Sequence, residues 1–593
     1  MEVGLRGSNR CCGRAQYPPW NPHPPPLGCE PRGKGQARAL RSYSPTMIAD
    51  LDDPGLPGLP DYDVVIAGSG PAGMTLAREL SGSGLMVCVL ESGVEKPTPR
   101  GDRLREVQST GIHIKAFSRE RVLGGASSTW SGLSSPLDDV DLQTRPYLEH
   151  SGWPLDRAEL DDYYGQASER YRFPAPELYA AGGFDTLRTK GEHEPAWEML
   201  REKIFLAAAD AQDFGQEWKS CCEGGDTDLL LDATLVELKS EEEVVGGAIA
   251  QTRSGRRVPI RGRAFVLATG GIENARLLLD NNLGNEQDQV GRYMMNHPKN
   301  YCGILKLAQP VQSLPYYFGC QVGANAGYAG LHLPSEVQTQ RELVNAYVRM
   351  EPLFPWSDNE GVECLVLLVK KCKGLLTFWT KSQGEAVIAM RDYSETGDDS
   401  DLSNTRRSAL GTAALGLRVV LHLPSVLTYA FFRLSGRSPR IRRVRLRNFM
   451  EMEPRAENRV SLAQDADPNG RPLAQVSHDT SERDRASLLA LHEVLREEFE
   501  RTGLGTLGPD LEQADPWPIT QDASHHMGTT RMGTDPQSSV VTPQCRVHST
   551  SNLYCAGASV FPTSGCANPT WTIVALSIRL ARHLRGELQG SGA

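Results

Sequence analysis

The sequence lacks several features that would place it in common classes of protein. No apolar run reaches about 18 uninterrupted residues, so the sequence predicts no membrane span. Its 63 Lys and Arg residues are outnumbered by 73 Asp and Glu residues, and the formal net charge is -10. A nucleic-acid partner is therefore not expected, because such partners select a basic surface. The chain also contains no internal repeat and no G-x-S-x-G motif of the serine hydrolases.

The thirteen cysteines follow no disulfide framework. Cys11-Cys12 and Cys221-Cys222 are adjacent pairs, and Cys88 falls in a predicted buried strand. No C-x-x-C pair or ordered His/Cys cluster accompanies them, so no metal site is expected. Reduced thiols are typical of a cytoplasmic protein, and this is the location that we expect.

Residues 1–46 lack hydrophobic periodicity and are rich in Pro and Arg, which predicts a disordered N-terminal extension. This segment has no apolar core of a secretory signal. One hypothesis is that translation starts at Met47, because ordered sequence begins soon after it.

The most apolar long stretch, Ala409–Leu434, is interrupted by Arg418, His422, Pro424 and Arg433. We expect a buried or capping helix pair here, and contact with a membrane surface is the alternative.

The stretch Tyr62–Glu91 is the most informative part of the chain. Tyr62–Ala67 is a short apolar run that predicts a buried parallel strand, and Met86–Leu90 predicts the next one. Between them, a G-x-G-x-x-G motif opens a helix, and Glu91 ends the second strand. This arrangement is typical of a site for NAD or FAD, with the pyrophosphate at the positive end of the helix and the acid on the ribose.

Further motifs follow in the middle of the chain. Val122–Leu133 (VLGGASSTWSGL) predicts a loop of small residues that a flat ligand could approach closely. Leu229–Val236 and Ala264–Ala268 predict strands, and Thr269-Gly270-Gly271 is a second glycine turn at a strand end. Ser481–Arg501 has the spacing of an amphipathic helix.

The last part of the chain is dense in motifs again. It contains HHMGTTRMG at His525–Gly533, a short predicted strand at Asn552–Ala556, and Gly557-Ala558 directly after it. Asn568 is predicted as the N-cap of a final helix, with Pro569 as its first residue.

Together, the opening motif, GGASSTW, ATGGIENARLLL, HHMGTTRMG and NLYCAGASVFPTSGCANPTWTIVAL resemble the glucose–methanol–choline (GMC) family of FAD-dependent oxidoreductases. The resemblance is strongest toward bacterial sugar and polyol dehydrogenases and pyranose oxidases. It implies an α/β fold (α+β overall), with a discontinuous Rossmann-like FAD-binding domain and a second, substrate-binding domain of mixed sheet and helices.

The domain boundaries expected from this resemblance divide the chain after the extension into five parts. The FAD-binding domain would comprise 47–150, 223–299 and the catalytic cassette 519–593. A helical connection on the substrate side would span 151–222, and the substrate domain 300–518.

The resemblance also assigns residues to the cofactor. They would bind the pyrophosphate, the ribose, the isoalloxazine ring, the adenine and the ribityl phosphate: Gly68, Ser69, Gly70, Pro71, Ala72, Gly73, Glu91, Ser92, Gly124, Gly125, Ser127, Ser128, Thr129, Trp130, Leu235, Thr269, Gly270, Gly557, Ala558, Pro569 and Thr570. Some relatives bind FAD covalently through a histidine at the position of Thr129, so non-covalent FAD is expected here.

The catalytic pair implied by the resemblance is His525 and Asn568. A neutral imidazole, with an ordinary pKa of about 6.5, could take the hydroxyl proton while a hydride leaves carbon for flavin N5. Asn568 would bind the substrate oxygen. His526 is the alternative base, Asn568 could be only a helix cap, and His297 is expected to order a turn.

We therefore expect an enzyme that oxidises the CH–OH group of a small-molecule sugar, polyol or hydroxylated natural product. The electron acceptor could be dioxygen, a quinone or a protein carrier, and the sequence does not distinguish an oxidase from a dehydrogenase. A flavin-bound lyase on the same scaffold, or a non-catalytic flavin-binding protein, is a further alternative.

Overall fold

The structure, a computed structural model, describes residues 47–179, 195–208, 210–223, 225–314, 317–322, 325–371, 409–437, 439–508, 511 and 524–590. The predicted disordered extension at 1–46 lies outside the described residues.

The strands, numbered in chain order, fall into four sheets. They are β1 (Ile48–Asp50), β2 (Tyr62–Ala67), β3 (Val87–Leu90), β4 (Val107–Gly111), β5 (Leu133–Ser134), β6 (Arg201–Ala207), β7 (Thr227–Leu231), β8 (Thr234–Glu241), β9 (Val244–Gln251), β10 (Arg257–Ile260), β11 (Gly262–Leu267), β12 (Lys299–Asn300), β13 (Ile304–Val311), β14 (Cys320–Val322), β15 (Asn325–His332), β16 (Ala346–Pro352), β17 (Ile441–Met450), β18 (Arg459–Ala466), β19 (Pro472–His478), β20 (Gly505–Gly508) and β21 (Leu553–Cys555).

The α-helices surround these sheets and are numbered in the same way. They are α1 (Pro71–Leu80), α2 (Pro99–Leu104), α3 (Asp139–Leu142), α4 (Arg157–Tyr171), α5 (Phe214–Trp218), α6 (Gly271–Asp280), α7 (Ser335–Gln340), α8 (Glu360–Lys371), α9 (Ala409–Leu421), α10 (Leu423–Ser435), α11 (Glu482–Arg501) and α12 (Thr570–Gly590).

The first sheet is parallel throughout and has the order β1-β7-β3-β2-β11-β21. Its central strands β2, β3 and β11 are almost continuously apolar and buried, as expected for parallel strands covered on both faces. β21 pairs with β11 through Phe265 and Leu553, so the two distant parts of the chain share one sheet. The α/β fold class is confirmed.

The largest sheet is antiparallel, with the order β20-β13-β17-β16-β15-β6-β5, and β12 and β14 pair at its margin. Helix α11 packs on it through the apolar face predicted for Ser481–Arg501. β5 and β6 belong to this sheet, although they lie in the segments predicted as the first FAD-binding part and the helical connection. The division into domains by sequence stays a prediction.

Two small sheets complete the fold. β8, β9 and β10 form an antiparallel meander between β7 and β11. The single strand predicted at Leu229–Val236 is wrong, because the chain turns at Asp232, whose φ is 53°. β4 joins the hairpin of β18 and β19 in the other small sheet.

The helix pair predicted at Ala409–Leu434 exists as α9 and α10. It was predicted as buried or capping, and the first of these two options is wrong. Large apolar side chains of both helices are exposed, among them Leu421 at 70% and Leu434 at 66%. Within the described ranges, no single helix is long and apolar enough to cross a membrane. The α9–α10 pair passes that test only when its helices are taken together, and they are bent by 88°.

Candidate active site

The turn between β2 and α1 is built so that backbone atoms can approach one another closely. Gly68 has a φ of +100°, and a Cβ there would lie 2.6 Å from the backbone oxygen of Ala268. A Cβ on Gly73 would lie 1.9 Å from the backbone oxygen of Gly68. Both positions therefore require glycine, and they bring the N-terminus of α1 to the carboxyl end of the sheet.

The N-terminus of α1 offers a binding site for an anion. Its N-cap is Gly70, which has no side chain to bond the first helical N–H groups. A Cβ on Gly70 would meet nothing within 4 Å, although Gly70 lines a large cavity. This open space over uncapped N–H groups fits a phosphate, because both the N–H groups and the helix dipole favour negative charge.

Glu91 follows β3 and is buried, with 4% of its surface exposed. Its carboxylate accepts hydrogen bonds from the Ser69 backbone N–H (3.1 Å) and hydroxyl (2.6 Å), and from the Gly93 N–H (2.7 Å). These bonds fix the carboxylate beside the first glycine turn, at the wall of the same cavity.

A second glycine turn follows β11 and begins α6. Asn274 accepts from the N–H and hydroxyl of Thr269, at 2.9 and 2.6 Å. Its amide donates to the Ala556 carbonyl and the Ser559 hydroxyl, at 3.0 and 2.9 Å. Asn274 thus connects the Thr269-Gly270 turn to the loop that contains Gly557, a role that the sequence did not suggest.

The loop of small residues after β4 folds as a short 3-10 helix at Gly125–Ser128. Gly124, with a φ of 91°, donates its N–H to the Ser69 hydroxyl at 3.1 Å. The Trp130 indole donates to the Gln212 carbonyl at 2.6 Å, which fixes the orientation of its ring. The loop is therefore held against the first glycine turn.

The HHMGTTRMG segment packs against the N-terminus of α6. His525 is half-buried, and its N–H donates to the Asn296 side-chain oxygen at 3.1 Å. Its Nδ1 lies 2.9 Å from Nδ1 of His297, and the two rings are nearly perpendicular, at 88°. His526 is buried, and its backbone oxygen lies 2.2 Å from the position of a Cβ on Gly271.

His297 decides which nitrogen of His525 carries the proton. Nε2 of His297 lies 3.4 Å from the Ser564 carbonyl, which can only accept, so this nitrogen carries the hydrogen. Burial lowers the pKa of His297 to about 4, so its ring is neutral and its Nδ1 accepts. Nδ1 of His525 must then donate, which leaves Nε2 of a neutral His525 without a proton.

Asn568 precedes the last helix and is half-buried. The predicted N-cap is displaced by one residue, because α12 begins at Thr570 and the Ile573 N–H donates to the Pro569 carbonyl at 2.8 Å. Helix boundaries read from a sequence are uncertain by this amount. Asn568, Pro569 and Thr570 all line the cavity, so the positive end of α12 faces it.

The cavity has a volume of about 690 Å³ and joins these segments. Most of the predicted residues line it: Gly68, Ser69, Gly70, Pro71, Ala72, Glu91, Ser92, Gly125, Ser127, Thr129, Trp130, Leu235, Thr269, Gly270, His525, Gly557, Ala558, Asn568, Pro569 and Thr570. The structure describes all the predicted residues, and three of them do not line the cavity: Gly73, Gly124 and Ser128. Gly73 and Gly124 shape the turns, and Ser128 bonds the Gly125 carbonyl at 2.8 Å.

The sequence did not reveal a buried charge cluster at one wall of the cavity. Arg119 and Arg121 contact one carboxylate oxygen of Glu273, at 2.8 and 2.9 Å, and Arg276 contacts the other at 2.7 Å. Burial lowers the pKa of Arg119 to about 9, while the arginines keep the pKa of Glu273 well below its usual range. Arg276 also contacts the buried Asp467 at 3.3 Å, so three cations face two anions, and the cluster keeps one excess positive charge beside a site that fits phosphates. The density of arginine at 119–121 was the available signal.

A second buried network holds the loop before Asn568. Arg145 makes two bonds to Glu451, at 2.8 and 2.6 Å, and Glu451 also accepts from the Gly565 N–H at 3.3 Å. A Cβ on Gly565 would lie 2.4 Å from a carboxylate oxygen of Asp141. The network thereby connects the largest sheet with the segment that leads to Asn568.

Comparison with known proteins matches two separate segments of the chain to family models. Residues 454–577 match the family model of GMC oxidoreductases, and residues 61–108 match that of an FAD binding domain. The C-glycoside 3-oxidase of Microbacterium trichothecenolyticum is 35% identical over 586 residues, which cover 89% of this chain and 97% of the relative. The paromamine 6'-oxidase of Streptomyces fradiae is 23% identical over 574 residues, which cover 89% and 92%.

A solved structure with a similar fold is the pyridoxine 4-oxidase from Mesorbium loti. Its TM-score is 0.52 at 16% identity, and the match covers 88% of this chain and 99% of that one. The family models match both ends of the described fold, and the relative at 35% identity matches almost the whole chain. The chain belongs to the GMC oxidoreductase family, and its cofactor is FAD.

Proposed function

We propose that the protein oxidises a CH–OH group of a sugar, glycoside or polyol to a carbonyl, with His525 as the base and Asn568 as the ligand of the substrate oxygen. The observation that carries this proposal is that His525 and Asn568 line the same cavity as the glycine turns at Gly68–Gly70 and Thr269–Gly270. The assignment of an oxidoreductase acting on CH–OH groups agrees with the relatives described above.

The residues present fit FAD. The uncapped N-terminus of α1, with open space beside Gly70, would bind the pyrophosphate. Arg119 and Arg121 would add positive charge near it, and Glu91 would accept hydrogen bonds from ribose hydroxyls. Bound there, FAD supplies the acceptor for the hydride that leaves the substrate carbon.

His525 would take the hydroxyl proton at Nε2. Its Nδ1–H is directed to His297, so the ring presents the lone pair of Nε2 when it is neutral. Its backbone is fixed by Asn296, which limits the ring to few orientations. A base held within reach of the proton avoids the loss of freedom that a mobile side chain would suffer during reaction.

Asn568 would hold the substrate oxygen by donating from its amide, and it would not compete for the proton. The N-terminus of α12 faces the same cavity through Pro569 and Thr570. Its positive end would stabilise negative charge that develops during oxidation. Both effects require the loop before Asn568 to be fixed, which the Arg145–Glu451 network does.

We further propose that FAD is bound without a covalent bond and that dioxygen is the acceptor. Thr129, at the loop position discussed above, has a hydroxyl that donates to the Ala126 carbonyl at 3.3 Å and no imidazole nitrogen. The two full-length relatives named above are oxidases. FAD remaining with acid-precipitated protein would contradict the first proposal, and re-oxidation faster with a quinone than with air would contradict the second.

A cytoplasmic location is the last part of the proposal. Eight cysteines are free thiols in the part of the chain that the structure describes, and the adjacent pair Cys221 and Cys222 has its sulfurs 3.7 Å apart. Such thiols persist in a reducing compartment. Fractionation of cells that produce the full chain tests this, and recovery with secreted or periplasmic proteins would contradict it.

The function is tested by anaerobic mixing of the FAD-bound protein with a panel of sugars, C- and O-glycosides and polyols. We expect bleaching of the flavin by at least one member and the appearance of the matching ketone or aldehyde. Loss of substrate without bleaching would indicate a lyase instead. Bleaching by no member of the panel would contradict the proposal.

A further inference from the structure

The α9–α10 pair has an exposed apolar face that is unusual for this protein. Of the nine large apolar side chains recorded as exposed among the described residues, all but Met199 and Val244 lie on this pair. They are Leu417 (61%), Val420 (64%), Leu421 (70%), Leu423 (45%), Leu427 (59%), Phe431 (55%) and Leu434 (66%). A clustered apolar surface of this kind marks a site of interaction rather than ordinary scatter.

The opposite face of the pair is fixed to the rest of the molecule. Val426 and Tyr429 of α10 pack with Val362 of α8 in a small separate core. At the bend, His422 lies against Gly361, where a Cβ would come within 2.2 Å of the His422 Cβ. The exposed residues are therefore not the inner face of a displaced element, because the inner face has its own partners.

The two helices that form the apolar face, and the chain directly after them, are basic. No Asp or Glu occurs between Leu402 and Met450, although the chain as a whole has a net charge of -10. Four arginines that directly follow α10 are exposed: Arg437, Arg440, Arg442 and Arg443. Helix α8, which packs against the pair, carries Glu360 and Glu363, so the basic character belongs to α9, α10 and the chain after them. Helices that expose apolar side chains and contain arginines but no carboxylates complement a surface with apolar material below negative charge.

The geometry favours a position along a surface over a span. Each helix has 13 residues, which corresponds to a length of about 20 Å, while a bilayer core is about 30 Å thick. The bend of 88° prevents the two from acting as one straight helix. Short apolar helices with basic flanks lie in the plane of the membrane interface.

We propose that the α9–α10 face docks the enzyme on the surface of a lipid bilayer that contains anionic lipids. The apolar side chains enter the boundary between headgroups and acyl chains, and the arginines after α10 contact the headgroups. A second copy of the chain is a poorer occupant, because a twofold contact would place the basic segments of both copies at one interface, and residues 402–450 contain no carboxylate to pair with them.

The test uses the full chain with FAD bound and vesicle flotation. Vesicles of phosphatidylcholine with phosphatidylglycerol are compared with vesicles of phosphatidylcholine alone. We expect the wild type to float with the mixed vesicles, to bind the neutral ones at least about tenfold more weakly, and to be released from the mixed ones by salt. Failure of the wild type to float with the mixed vesicles would overturn the proposal.

Variants test separately the contribution of the apolar side chains and that of the arginines to vesicle binding. The Leu421→Glu/Phe431→Glu variant should bind mixed vesicles at least about tenfold more weakly, because burial of each large apolar side chain is lost. Each of Arg437→Gln, Arg442→Gln and Arg443→Gln should weaken binding about fivefold. Val244→Glu, at an exposed apolar position outside the pair, is the matched control and should bind as the wild type does.

Unchanged binding by the Leu421→Glu/Phe431→Glu variant would overturn the proposal, and so would an equal loss in the Val244→Glu control. FAD content and circular dichroism show whether each variant is folded. Since the substituted side chains are exposed, we expect both to match the wild type. Should the double variant not fold, the arginine variants alone decide, and binding that none of them weakens would overturn the proposal.

Discussion

Substitution of His297 tests whether a buried ring that does not line the cavity controls the proposed base. In the tautomers inferred above, Nδ1 of His297 accepts a hydrogen bond from Nδ1–H of His525 at 2.9 Å, and Nε2 of His297 donates to the Ser564 carbonyl at 3.4 Å. His297→Phe keeps a planar ring of similar size but removes the acceptor. His525 can then adopt the other tautomer or another orientation, and its donor is left without this partner.

The expected loss follows from that hydrogen bond. An unsatisfied donor in a buried setting costs about 1–3 kcal/mol, which corresponds to roughly 5- to 150-fold in rate if the cost falls on the reactive arrangement. Flavin reduction, measured by anaerobic stopped flow at saturating substrate, should fall within that range. His297→Asn should recover part of the rate, because its side-chain oxygen can lie near the former Nδ1.

A purely structural role of His297 predicts a different pattern. Both variants would then lose stability and FAD together, and the asparagine would not recover the rate selectively. Flavin reduction in FAD-bound His297→Phe at the rate of the wild type would refute the reasoning, as would a slower rate in His297→Asn than in His297→Phe.

Three further predictions concern stability and folding. Burial lowers the pKa of His297 from 6.5 to about 4, so the unfolded chain takes up this proton at a higher pH than the folded chain does. The contribution of His297 to the free energy of unfolding is therefore complete above about pH 7. It is lost as the pH falls from 6.5 to 4, by up to about 3 kcal/mol. The wild type should therefore lose thermal stability over that range more steeply than His297→Asn, and parallel curves would contradict this. Gly73→Ala should destabilise the FAD-binding sheet by at least about 1–3 kcal/mol in denaturant unfolding, because its Cβ would lie 1.9 Å from the Gly68 oxygen, whereas Gly165→Ala, with nothing within 4 Å, should be neutral or stabilising. A chain that begins at Met47 should fold and bind FAD, because the Met47 carbonyl still accepts from Leu229 at 2.9 Å, and loss of FAD would show that residues 1–46 are needed.

The parts of the site that the sequence predicted are local ones. The strand, turn and helix at Tyr62–Glu91 follow one another along the chain, and Gly73 is required by a contact with the nearby Gly68. Gly68 itself is required by the distant Ala268. For these features the short-range pattern already contains much of the physical constraint. The pairing of β21 with β11 was not predicted, because the resemblance to one family only assigned the two segments to the same domain.

Features that depend on distant partners were missed. His297 and His525 are 228 residues apart, so no local pattern indicates that their rings touch. Glu273 and Arg119 meet for the same reason only in the folded chain. For the helix pair at Ala409–Leu434, predicted as buried or capping, the sequence could not show which way the apolar side chains face, because apolar composition is the same for a helix that faces a core and for one that faces outward.

The central claim is that His525, and not its neighbour His526, takes the proton. His525→Ala and His526→Ala, both with FAD bound, are compared in anaerobic flavin reduction with a substrate found in the panel. The account predicts a loss of roughly two to four orders of magnitude for His525→Ala, as for removal of a general base, and a much smaller change for His526→Ala. Near-normal reduction by His525→Ala, or the larger loss in His526→Ala, would contradict it.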